Sequence, residues 1–234
     1  VADKARIATL ESQVAVLLNF TGQHRTFIKN IPTIHAKNFE GLIVSACNDE
    51  YIKMSGGISS GTEAITINES LPVVSLTTKA KDKSVFGVIS GSEDPNERTE
   101  KEVGDTRVYI NSVGEGAIWV CNINGSLESG DYITSSNLAY GYGQKQDTEF
   151  QCNYTVAKIT MNCDFNPQQQ MKKKIKQTKD LVNDLDEHGQ IQWETTNEFE
   201  QKYKTRFLDG TGNITDEQHH VYKAAFVGCT YHCG

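Results

Sequence analysis

The 234-residue sequence predicts a mainly β protein: an antiparallel barrel or sandwich, preceded by a short N-terminal coiled-coil helix and interrupted by a polar α/β insertion before its last strand. Two observations carry the β assignment. From residue 21 onward apolar residues fall in short alternating runs, at 26–28, 41–46, 64–67, 73–76, 85–89, 107–110, 117–122, 132–134 and 154–159, the period that turns successive side chains to opposite faces of a strand. These runs are separated by turn signals such as Ser55-Gly56-Gly57, Asn124-Gly125 and Ser129-Gly130-Asp131. Such spacing argues for an antiparallel barrel or sandwich, not alternating β-α units.

Before the strands, residues 3–19 read as a helix with Ile7, Leu10, Val14 and Leu17 at alternating three- and four-residue steps, the spacing of a coiled-coil seam. Two heptads do not hold helices together alone. The segment is either the end of a parallel stalk entering the domain or an amphipathic helix folded onto it, and Ile and Val at one seam position with Leu at the other leave dimer and trimer both open. The sequence opens at Val1 inside this pattern, which reads as a piece or processed product of a longer protein.

Beyond the strands, residues 92–105 form a charged loop, and from 166 to 218 the composition shifts to Gln, Lys, Asp and Glu. Within that arm, 171–185 predicts a short exposed helix, and 190–194 with 202–208 a long hairpin. Apolar character returns at 222–231, YKAAFVGCTY, a buried last strand rejoining the core. The expected division is therefore a stalk helix at 1–20, a β-rich domain at 21–165, the arm at 166–218 and a returning strand at 219–234.

Composition sets limits on function. Thirty acidic against 23 basic residues give a net charge of −7, which opposes docking on phosphate backbones or anionic membranes, so no nucleic-acid partner is expected. The longest apolar stretches, such as 118–121 and 224–229, fall far short of the roughly 20 residues that cross a bilayer, so no membrane insertion is expected. Hydrophobic residues make up only 37%, a thin core of the kind that partners complete. Cys47, Cys121, Cys152, Cys163, Cys229 and Cys233 lack paired CxxC spacing and read as reduced core residues.

Chemistry-bearing constellations are sparse. Cys229, His232 and Cys233 invite a metal reading, but on a continuing strand residues four apart lie about 13 Å from each other, so no metal or other cofactor is expected. Gln23, His24 and Arg25 form a polar cluster where stalk would turn into sheet, suited to a subunit junction or to proton transfer, and equally to a hydrogen-bonded turn. Ser45, Ser90 and Ser112 offer hydroxyls without a base at a telling spacing. Tyr140 and Tyr142 flank a Gly-rich turn, AYGYGQKQD, and either offer stacking surfaces to a sugar or pin the loop to its sheet.

The segments NFEGLIVSA at 38–46, DKSVFGVISG at 82–91, VYINSVGEGAIWVCNINGSLESGDYITSS at 108–136 and GYGQKQDTEFQCNYTVAKI at 141–159 follow one another in an order that resembles the autoproteolytic intramolecular chaperone domain. That glutamic-type peptidase family stands at the C-terminus of phage neck-appendage and tail-fibre proteins and of related large-virus fibre proteins. The resemblance implies a homotrimer on a virion fibre, assembled in the host cell, that nucleates folding of the upstream fibre segment of the same polypeptide. In some members it implies self-cleavage by acidic side chains near the start of the domain, where Glu40 of NFEG is the matching acidic residue. A fibre tip also has a host-surface glycan or receptor as its natural partner, and Tyr140 and Tyr142 are the residues placed for it.

Overall fold

The computed structural model describes residues 22–29, 38–52, 58–60, 71–92, 106–174 and 193–233. The heptad residues Ile7, Leu10, Val14 and Leu17, the run at 64–67 and the loop at 93–105 lie outside the described residues.

The first part of the chain supplies β1 (Gln23–Ile28), β2 (Ile43–Ile52), β3 (Ile58–Ser60), β4 (Pro72–Leu76), β5 (Val85–Ser92) and β6 (Thr106–Asn111). Five of these strands close into a ring, β1-β4-β2-β5-β6 and back to β1, with β3 added beside β2. β1 runs parallel to β4, and the other four pairs are antiparallel. Ile28, Val44, Val74, Ile89, Val108 and Ile110 fill its interior, so every strand of the ring contributes at least one branched aliphatic side chain. That is the alternation of the sequence at work, because inward and outward residues alternate along each strand of a barrel.

The second part supplies β7 (Val113–Cys121), β8 (Tyr132–Ser135), β9 (Gly143–Lys145), β10 (Thr155–Ile159), β11 (Gln168–Lys174), β12 (Trp193–Gln201), β13 (Thr205–Leu208), β14 (Ile214–Thr215) and β15 (Tyr222–His232). Here too five strands close, in the order β7-β9-β8-β10-β15 and back to β7. β7 runs parallel to β9, and the remaining pairs are antiparallel. Numbered by order of appearance, both rings read 1-3-2-4-5, with first and third strands parallel and first and last strands paired. The chain thus holds two tandem barrels of one topology, joined at Ser112 between β6 and β7. In a closed ring every strand has two neighbours, which removes the unpaired edges that invite aggregation.

The barrels share a wall. Ile43 and Val88, opposite each other on β2 and β5, point out of the first ring and into the core of the second, while their neighbours Val44 and Ile89 point into the first. Both outward residues are fully buried, and each stabilises the contact by about 1.5–3 kcal/mol relative to exposure. Gly41 marks the closest approach: its φ is +84°, and a Cβ there would come within 2.3 Å of the Phe226 ring. Its N–H donates to Ile89 O at 2.8 Å and its carbonyl accepts from Trp119 N at 3.0 Å, tying one strand of each barrel to the same residue.

Three expectations need correction. Residues 171–174 are strand, not helix, because β12 offers the Thr- and Phe-containing partner WETTNEFEQ and pairing with β11 outweighs local propensity; residues 175–185 lie outside the described residues. The hairpin expected from 190–194 with 202–208 does not form among the described residues, where Trp193 and Glu194 pair with Lys174 and Lys173 of β11. β13 instead lies beside β15 in the second sheet, where Leu208 is fully buried and Tyr203 nearly so. The sheets are also not wholly antiparallel, since each barrel carries one parallel pair. β15 is the apolar last strand the sequence predicts.

Candidate functional site

Arg206 organises a concavity at the junction of the two barrels. It sits on β13, separated from β7 by β15 in the same sheet, and its side chain reaches across to Trp119 on the outer face of β7. There Leu42, Trp119, Tyr142, Cys121, Ala139, Leu208 and Ala224 form a third apolar cluster, with Phe39, Leu76, Tyr222 and Phe226 against it. The Arg206 guanidinium lies 3.9 Å from the Trp119 ring centroid. Its Nη1 donates to Tyr142 Oη and its Nη2 to Asn38 O, each at 3.0 Å. A cation stacked on an indole and fixed by two hydrogen bonds is pre-organised, so little rotamer freedom remains to be lost when it meets a ligand.

Above Arg206 opens a groove of about 630 Å³, a size ordinary for small-molecule sites, at the junction of the two barrels. Leu42 and Leu76 of the first barrel form part of its wall, and the loop carrying Asn137, Leu138, Tyr140 and Tyr142 faces the turn at 209–213 across it. Each wall has a local cause. Gly141 lies at φ +78°, its N–H donating to Thr77 O at 2.9 Å and its carbonyl accepting from Ile43 N at 2.7 Å, which stitches the tyrosine loop to the first barrel. In the opposing turn Asp209 Oδ1 accepts from Thr211 N, Thr211 Oγ1 and Asn213 N at 2.8, 2.8 and 2.9 Å. Those donors, led by the Thr211 hydroxyl, hold the Asp209 carboxyl down at about 2. Gly212, at φ +85°, presses so closely on the tyrosine loop that a Cβ would meet Leu138 O at 2.2 Å.

The two tyrosines play different parts. Tyr140 is 64% exposed at the rim. Tyr142 is 4% exposed, its ring 6.3 Å from that of Trp119, and burial pushes its phenol up against the opposing pull of the Arg206 hydrogen bond. Glu40 stands beside the groove without lining it. The residue is exposed, and its backbone carbonyl accepts from Trp119 Nε1 at 3.1 Å.

Comparison with family models, with curated protein sequences and with solved structures finds no match. The geometry alone therefore carries the reading of this site.

The other residues singled out by sequence lie elsewhere. Gln23, His24 and Arg25 are on β1. Gln23 Nε2 donates to Ser90 Oγ and Asn111 Oδ1 at 3.1 and 3.2 Å, and Arg25 is exposed. The His24 ring packs 5.1 Å from Phe86, and burial lowers its pKa, so it is uncharged at neutral pH. Ser45, Ser90 and Ser112 donate to Asp82 Oδ2, Tyr109 O and Phe86 O, all structural acceptors. Cys229 on β15 and Cys233 just after it both face the second core, and burial pushes both thiols up to about 12. His232 points the other way, its ring set edge-on 6.5 Å from that of Tyr132. Sequence reasoning missed Arg206, Asn38, Asn137, Thr211 and Asn213. The turn DGTGN at 209–213 was the available signal, hidden inside a stretch that reads as a solvated arm.

Proposed function

We propose that the chain is the end domain of a viral fibre or appendage, a homotrimer on the virion that presents a carbohydrate-binding groove to the host surface and helps the upstream segment of its own polypeptide to fold. The observation that carries the recognition half is the groove itself. Tyr140 supplies an exposed aromatic face at its rim and Asn137 an exposed amide beside it, while Thr211 and Asn213, bonded to Asp209 and to each other, shape the opposite wall; stacking surface beside a hydrogen-bonding amide suits a sugar's apolar face and hydroxyl edge. The assembly half rests on the resemblance of the 38–159 segments to fibre chaperone domains. Fibres of intertwined chains fold slowly, and a compact module that trimerises first raises the effective concentration of the strands behind it.

Two measurements test the proposal together. Light scattering on the chain extended through its upstream sequence is expected to give three times the monomer mass, and immobilised glycans are expected to retain the chain but not Tyr140→Ala. A monomer at high concentration overturns the assembly half. Undiminished retention of Tyr140→Ala overturns the recognition half. Self-cleavage at the start of the domain, with Glu40 as its acid, is the rival reading; it would show as a second, shorter polypeptide from the extended chain that disappears in Glu40→Gln.

A further inference from the structure

We infer that the groove selects a carboxylated sugar, of the sialic or uronic acid class, and that Arg206 reads the carboxylate. This inference rests on the reading of the groove as a carbohydrate site and adds its specificity. Of the described residues that line the groove, Arg206 is the only one that carries a formal charge; the rest are aromatic, aliphatic, amide, hydroxyl or glycine. In a protein of net charge −7, a single cation at the floor of an otherwise neutral recess is a local reversal of sign. The acidic residue on the facing turn does not cancel it by contact, because Asp209 turns its carboxylate into its own turn, Oδ1 to Thr211 and Asn213 and Oδ2 to Asn213 Nδ2 at 3.4 Å.

The guanidinium is also incompletely used. It carries five N–H donors, of which, among the described residues, Tyr142 Oη and Asn38 O take one each, leaving Nε and one hydrogen on each terminal nitrogen. Planar guanidinium matches carboxylate better than it matches a hydroxyl, and the charge-assisted bond is about twice as strong as a neutral one. A multiply charged phosphate fits less well, since one Arg without a lysine or a nest of backbone N–H groups leaves most of its charge unmet and the field of the whole protein repels it. A neutral sugar would leave the remaining Arg206 donors without a charged partner.

The test uses calorimetry on the whole chain with sialyllactose and with a glucuronic acid disaccharide, each beside its methyl ester, and with lactose. The expected result is binding of at least one free acid about tenfold tighter than its ester and than lactose. Arg206→Gln should erase that preference, Arg206→Lys should lose most of it because the planar fork is gone, and Tyr140→Ala should weaken acid and ester alike. Thermal unfolding shows whether each variant folds, and the acid-against-ester comparison on the unaltered chain decides the matter if Arg206→Gln does not. Equal affinity for acids, esters and lactose overturns the inference while leaving the carbohydrate reading standing. Binding of none of the five sugars at millimolar concentration overturns both.

Discussion

The two barrels share a strand order yet differ in how the chain completes them. In the first, the strand that closes the ring, β6, is reached by residue 106; in the second, β7 at 113–121 waits for β15 at 222–232, with β11 to β14 threaded between. Closing a ring across so long a stretch costs more chain entropy and slows folding, although the thermodynamic cost grows only with the logarithm of length. What the second barrel has and the first lacks is also what builds the groove, since Arg206 lies on β13 and Thr211, Asn213 and Ile214 follow it. The repeated scaffold supplies rigidity, and the insertion supplies chemistry.

The largest effect is expected where the barrels touch. Ile43→Ala empties a fully buried site in the second core and should cost about 2–5 kcal/mol, with chemical denaturation still giving one transition because the β2–β5 wall that carries Ile43 belongs to both barrels. Two separated transitions, only one of them shifted, would mean that the barrels unfold independently. Next comes the groove turn. Gly212→Ala forces a Cβ toward Leu138 O at positive φ and should cost more than about 1 kcal/mol while abolishing sugar retention; unchanged retention would remove the turn from the site.

A smaller effect belongs to the base of the insertion. Tyr203 is buried, and its hydroxyl lies 2.7 Å from Asp164 Oδ1 and 2.9 Å from Asn166 O, bonds that anchor the β11–β12 pair to the second barrel and draw the Asp164 carboxyl down while burial and Asp164 push the phenol up. Tyr203→Phe should destabilise by about 1 kcal/mol, read as a lower melting temperature with the groove intact. The thiols sharpen the contrast without changing stability. Cys121, Cys163, Cys229 and Cys233 are buried with raised pKa values and should resist alkylation in the folded chain, while the partly exposed Cys47 and Cys152 should react.

The smallest is a pH effect confined to the turn. Asp209 titrates at about 2 when folded against an ordinary 3.8, so its stabilising contribution is complete above 3.8 and is lost as pH falls from there toward 2. Carboxyl chemical shifts should place its midpoint near 2, and sugar binding should weaken across the same window. A midpoint at the ordinary value would mean that the turn is open in solution.

Much of the strand pattern was legible because it depends on local alternation: 73–76, 107–110 and 132–134 lie within β4, β6 and β8, and 222–231 within β15. Closure was not legible. That β2 pairs with β5 and β15 with β10 depends on which outward residues find a partner face, and nothing in the local sequence of Ile43 distinguishes it from Val44, which faces the other core. The insertion misled for a related reason. Lysine-rich 171–174 has ordinary helical propensity, and its strand conformation comes from a partner some twenty residues away in sequence. The tyrosines of the groove were visible as aromatics beside a Gly-rich turn, but Arg206 became meaningful only when β13 laid it across Trp119.

The account stands on the claim that this groove is a recognition site, and a two-dimensional amide NMR titration of the folded chain with the carboxylated sugars tests it most directly. The account predicts saturable shifts gathered on residues 137–142, 206 and 211–214, with the interior of the first barrel silent and the shifts lost in Arg206→Gln. Shifts that never saturate, or that gather on β1 around Gln23 and His24, would contradict it.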